Sequence, residues 1–153
     1  MSGTTTLDDA RLATLGAVLD TLIPPCPERG LPGAGELGLA AAVAEEIGRT
    51  PELAELTAAG LARVDETAGA AGGFAGLELD ARSRLLHEDS TTKPGFVRVL
   101  IAPTYIHYYE HPSVVEALGL EPRPPHPLGY PLEPGDLSLL DPVRQRPKLY
   151  RDC

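Results

Sequence analysis

The chain has 153 residues, 42% of them hydrophobic and 23% charged, which is enough for one domain with a proper core. Its net charge of -9 argues against a nucleic-acid partner, whose phosphates need clustered Lys and Arg, and equally against an anionic membrane surface, although Arg144, Arg146, Lys148 and Arg151 do gather near the end. There is no run of 18 apolar residues, so no membrane insertion is expected, and MSGTTTLDDARL at the start has neither a basic-then-apolar leader nor twin Arg, so the expected compartment is the cytoplasm.

In chain order, Thr6 before Leu7-Asp8-Asp9 reads as a helix N-cap with acids in the first turn. Leu12, Leu15, Val18, Leu19, Leu22 and Ile23 then mark one face, and Pro24-Pro25 ends the helix because neither ring can continue it. A Pro- and Gly-rich loop over 26–35 leads to an Ala-rich second helix, expected from about Glu36 to Ile47. Thr50-Pro51-Glu52 is a start signal of cap, proline and acid. The third helix runs on Leu53, Leu56, Gly60, Leu61, Val64 and Ala68 to a stop at Gly72-Gly73, with Phe74 and Leu77 tucked beneath it. Asp80 is expected to cap a short fourth helix ending near His87, followed by a polar, exposed stretch over 90–93.

Residues 94–111, PGFVRVLIAPTYIHYYEH, form the longest apolar segment and are expected to be the central helix. Phe96, Val99, Leu100, Pro103, Ile106 and His107 share one face, and Pro103 should kink the axis. Val97, Ile101, Tyr105 and Tyr108 lie off that stripe, and a helix apolar nearly all round is either central or covered by something else. A short sixth helix is expected from Pro112 to Gly119. The reading is therefore all-α: a small bundle of about five or six helices over 1–120, with a long Pro-rich extended arm over 121–153. The arm has no sustained period, yet it carries Leu128, Tyr130, Leu132, Leu137, Leu139, Leu140, Val143, Leu149 and Tyr150 as spaced anchors on a polyproline-like frame. Three readings stand side by side: a disordered tail, a strap over the chain's own helices, or an arm around another protein.

The motifs of chemistry are mostly missing. There is no GxSxG elbow, no P-loop and no CxxC, and GAGELG over 33–38 opens a helix with no strand before it. Cys26 and Cys153 make neither a disulfide framework nor a metal set, and a bridge between them runs against the cytoplasmic expectation. His107 and His111, four apart on one helix, with His87 and Glu88 on another, are the one arrangement that suggests a metal site. The plainer reading is structural or surface histidines, with His111 at a helix end. Glu45-Glu46 and Asp65-Glu66 are adjacent on helices, point about 100° apart, and read as solvated faces rather than catalytic pairs.

The order of several pieces resembles one family. LDTLIPP (19–25) is followed by LPGAGELG (31–38), a GLARVDETA helix (60–68), FAGL before a short helix ending in LL, Phe96-x9-Tyr105 with Tyr108-Tyr109, then ALGL and LGYP. This is similar to the small, or gamma, subunit of gluconate 2-dehydrogenase and of related flavin-dependent sugar dehydrogenases, over about 15–150. The resemblance implies a helical protein without a catalytic, cofactor or metal site of its own. Its partner would be a large catalytic subunit of the glucose-methanol-choline type that holds FAD, which this chain would bind, stabilise and help fold. Tyr105, Tyr108, Tyr109, Tyr130, Leu132, Leu139, Leu140, Arg144, Arg146, Tyr150 and Arg151 are the expected partner contacts. The rival readings are a stand-alone metal enzyme built on His87, His107 and His111, and a small acidic adaptor for an unrelated partner.

Overall fold

The first helix, α1, spans Asp9–Leu22. Its N-cap is Asp8, whose carboxylate accepts from Arg11 N at 2.9 Å. Thr6, the cap expected from sequence, lies outside the residues that the computed structural model describes, which are 7–69, 72–124, 126–127, 129 and 132–147. The described chain is all-α and divides into two units, Met1–Pro122 and Arg123–Cys153.

Five more helices complete the first unit: α2 (Ala40–Gly48), α3 (Pro51–Ala68), α4 (Leu79–Thr92), α5 (Phe96–Glu110) and α6 (Pro112–Ala117). The buried side chains of α1 are Thr14, Leu15, Ala17, Val18 and Leu19, one contiguous stripe. With Val43, Leu61, Val64, Phe74, Phe96, Leu100 and Val114, each fully buried, they make a single core. Helix α5 packs against α1, α2, α3, α4 and α6, which makes it the central helix, as its apolar length suggested.

Helix α2 starts four residues later than expected, because residues 34–39 are spent on turns. The Asp20 carboxylate takes hydrogen bonds from Gly35 N at 2.7 Å and Glu36 N at 3.1 Å, and the Glu36 carboxylate takes one from Gly33 N at 2.9 Å. Side-chain acceptors thus compete for the amides that a helix would otherwise use. There is no room for a Cβ at Gly35, which lies against the Gly16 carbonyl oxygen and Asp20, so this turn presses directly on α1.

Helix α4 runs five residues past its expected end. Ser90, Thr91 and Thr92 bond back to the carbonyls of His87 and Glu88 at 2.8–2.9 Å, which keeps polar residues inside a helix. Its Asp89, 8% exposed, holds Arg63 of α3 through two bonds of 2.6 and 3.0 Å.

Helix α5 differs from expectation in two ways. Pro94 lies before the helix, whose cap is Gly95 at φ 136, a conformation open to glycine. The buried face is Phe96, Leu100, Pro103, Thr104 and Tyr108 rather than the stripe through Val99, Ile106 and His107, so the helix is rotated from the expected setting. The helix is continuous through Pro103, and the Thr104 hydroxyl donates to Leu100 O.

In the second unit the described residues are not simply extended. A 3-10 turn, Leu137–Leu140, passes into a short helix, α7 (Asp141–Arg144). Asp136 caps the turn by accepting from Ser138 N at 3.0 Å and Ser138 Oγ at 2.6 Å, and Pro142 sits in the first turn of α7.

A candidate protein-docking face

The outer half of α5 is unusual for an exposed surface. Arg98, Ile101, Ala102, Tyr105, Ile106, Tyr109 and Glu110 are exposed and fall within one half-turn arc. Ile101, Tyr105, Ile106 and Tyr109 are 43–50% exposed, although the opposite side of the same helix is core. From Ile101 to Tyr109 the stripe is about 12 Å long, at 1.5 Å per residue. Leu118 and Leu120, beyond α6, add exposed apolar surface to the same unit.

The tyrosines divide by depth. Tyr105 and Tyr109 face outward with ring centroids 6.0 Å apart. Tyr108 is 2% exposed, and the Tyr109 ring meets its edge at 5.2 Å. The Tyr108 hydroxyl donates to Pro32 O at 2.9 Å, tying the C-terminal end of α5 to the loop that leads into the Gly33–Gly38 turns. Burial, then the neighbouring Tyr109 and Cys26, hold the Tyr108 phenol above its ordinary range. Tyr108 therefore supports the outward pair from beneath, in the core.

Of the expected partner contacts in the second unit, Leu132 (87% exposed), Leu139 (74%) and Leu140 (45%) are open, as are Leu137 and Val143. Arg144 and Arg146 are exposed, Arg144 pairing with Asp141 at 3.0 Å. Tyr130, Tyr150 and Arg151 lie outside the described residues, as do Leu128, Leu149 and Cys153.

The three histidines of the metal reading do not converge. His107 Nε2 lies 2.9 Å from a Glu46 carboxylate oxygen on α2 without making an aligned hydrogen bond to it. His111 Nδ1 meets Ser113 Oγ at 2.8 Å between α5 and α6. His87 is exposed on α4 beside a hollow lined by Thr21, Leu22, Ser83 and Val97. Among the described residues no group of three or more His, Cys, Asp or Glu side chains could hold a metal ion. A second hollow, beside Leu85, Thr92 and Lys93, contains the Arg63–Asp89 pair, whose charges already satisfy each other.

Two acids that the pattern left on the surface hold helices together, Asp65 half-buried and Asp89 buried. Asp65, read as part of a solvated face, accepts from the Thr14 hydroxyl and from Phe74 N, each at 2.8 Å, and so joins α3 to α1 and to the turn after it. Its place four residues beyond Leu61 was the available signal. Asp89 had a weaker one, three residues beyond buried Leu86.

No helix among the described residues is long and apolar enough to cross a membrane. The family model for gluconate 2-dehydrogenase subunit 3 matches residues 9–122. No curated protein and no solved structure matches the chain. The family match ends at Pro122, where the first structural unit also ends.

Proposed function

The chain belongs to the gluconate 2-dehydrogenase subunit 3 family, and from that premise we propose that it is the non-catalytic small subunit of a flavin-dependent sugar or glycoside dehydrogenase. In this reading a large FAD-holding subunit of the glucose-methanol-choline type performs the oxidation. This chain binds that subunit, stabilises it and helps it fold. The observation that carries the proposal is the outer arc of α5, where Ile101, Tyr105, Ile106 and Tyr109 stand half open above a fully packed inner face.

Full burial of such a side chain contributes about 1.5–3 kcal/mol, and about half of each is already covered, so docking recovers about 1 kcal/mol per residue. Tyrosines at the centre of such a face are common anchors. A second copy of the chain is a poor occupant, because residues 1–122 hold 8 basic and 18 acidic side chains and two such bodies repel. A larger partner with a basic rim suits the face better.

The experiment is co-expression with a candidate large flavoprotein subunit from the same genome, purification through a tag on this chain, and flavin absorbance of the eluate. A stoichiometric flavoprotein in the eluate supports the reading. An eluate of this chain alone, with the flavoprotein soluble and active without it, overturns it.

A further inference from the structure

The second unit is built differently from the first. Its described apolar side chains, Leu132, Leu137, Leu139, Leu140 and Val143, are 45–87% exposed. Four of them, Leu137, Leu139, Leu140 and Val143, are nevertheless presented on an ordered turn. Asp136 caps it through Ser138, Leu139 N bonds to Asp136 O at 3.4 Å, Gln145 N to Asp141 O at 3.2 Å, and Arg146 N to Val143 O at 3.1 Å. Local polar bonds hold the shape, so the leucines are not needed to hold it. Such pre-ordering lowers the entropy cost of docking. The hydrogen bonds from Ser138 also hold the Asp136 carboxyl below its usual range, which keeps the cap charged.

Two further observations separate this turn from the body. The family match stops at Pro122, so the turn lies outside what defines the family. The charge also changes: residues 123–153 hold 5 basic and 4 acidic side chains, against the 8 and 18 of residues 1–122.

Resting on the small-subunit reading, we propose that residues 136–146 are a second, separable anchor for the same large catalytic subunit. The anchor seats Leu137, Leu139, Leu140 and Val143 in an apolar groove with an acidic rim, distant from the surface that receives α5. Arg144 and Arg146 meet that rim. Thirteen residues, 123–135, five of them proline, separate the anchor from the body. At ~3.1 Å per residue a spacer of that composition reaches ~40 Å, which is enough to cross much of a large subunit's surface. The two grips then act in series. Once α5 is docked, the anchor binds at the high effective concentration set by the spacer, so two modest contacts give one slow dissociation. The body supplies the grip common to the family, and the arm adds retention.

The test uses the co-purified complex of the full chain with its flavoprotein subunit, and reads dissociation of the immobilised complex. Leu137→Ser with Leu140→Ser is expected to speed dissociation roughly 100-fold, within the range two linked sites give. Doubling the 123–135 spacer with Gly-Ser residues after Gly135 is expected to weaken binding roughly threefold, as effective concentration falls with the three-halves power of length. Ile101→Ser with Tyr105→Ser serves as the comparison on α5. If the anchor variant dissociates like the unaltered chain while the α5 variant dissociates faster, the second anchor is overturned and the small-subunit reading stands. If neither variant changes the rate, or no flavoprotein complex forms, both are overturned.

Discussion

Gly16 and Gly60 sit in the middle of helices of the first unit, and the structure gives them opposite fates on conversion to alanine. Gly60, on α3, faces Phe96 of α5, which is fully buried. A Cβ at Gly60 would fall on the Phe96 ring and within 2.8 Å of the Phe96 Cβ, so no rotation of that side chain clears it. Helices α3 and α5 must therefore move apart. Overpacking of this kind costs about 1–3 kcal/mol, and a contact with the root of a buried ring belongs at the upper end. Alanine returns up to about 1 kcal/mol in helix propensity. The net for Gly60→Ala is a loss of about 2 kcal/mol, or about 8 °C in Tm for a unit of this size. Gly16, on α1, has no atom within 4 Å of where its Cβ would sit. Gly16→Ala keeps the propensity gain alone, about 0.5–1 kcal/mol and about 2–4 °C. Thermal unfolding followed by circular dichroism at 222 nm, with urea midpoints as a second measure, reads both. A Gly60→Ala protein melting at or above the unaltered chain refutes the packing argument. So does a Gly16→Ala protein that loses stability to the same degree.

The Thr57 hydroxyl is buried without a hydrogen-bond partner, in a residue 2% exposed beside Ala54 and Ile47. Thr57→Val is therefore expected to stabilise by about 1 kcal/mol, since the unpaired group costs more buried than a methyl does, and a fall in the urea midpoint contradicts this. The Tyr108 phenol is raised in the fold, so its neutral form contributes stability that is intact below the unfolded value of about 10 and is lost as pH rises through the folded value. Absorbance at 295 nm during alkaline titration should show one tyrosine ionising last, and Tyr108→Phe should remove that step. The same change should cost about 1 kcal/mol through the lost bond to Pro32 O. A late step that persists in the Phe variant shows that another tyrosine is responsible.

Much of the body was legible because its helices begin and end on strong local chemistry. Thr50-Pro51-Glu52 fixes the start of α3, and Pro24-Pro25 follows the end of α1 at Leu22. What escaped was set by contacts distant in sequence. The start of α2 depends on Asp20, fifteen residues before the Gly35 amide it accepts from. The rotation of α5 depends on partners for both faces, and periodicity cannot rank two apolar faces of one helix. Phe96, Leu100 and Pro103 were placed correctly on the buried side, while Ile106 was not, because Tyr108 takes the inward position with its hydroxyl satisfied by Pro32. The ordered turn in the arm was hidden by proline density, although Asp136-Leu137-Ser138 and Asp141-Pro142 are both start signals. The histidine constellation failed for a simpler reason: shared helical spacing places residues on a face but says nothing about what the opposite helix brings to it.

The outer arc of α5 is where the partner must dock, and the direct measurement is the affinity of Ile101→Ser with Tyr105→Ser for the flavoprotein subunit, taken beside the Tm of the free variant. Both side chains are more than 40% exposed, so the free chain should melt within about 2 °C of the unaltered one. Binding should weaken by about 2 kcal/mol or more, roughly 30-fold. Unchanged affinity in a normally folded variant would contradict the claim that this face receives the partner.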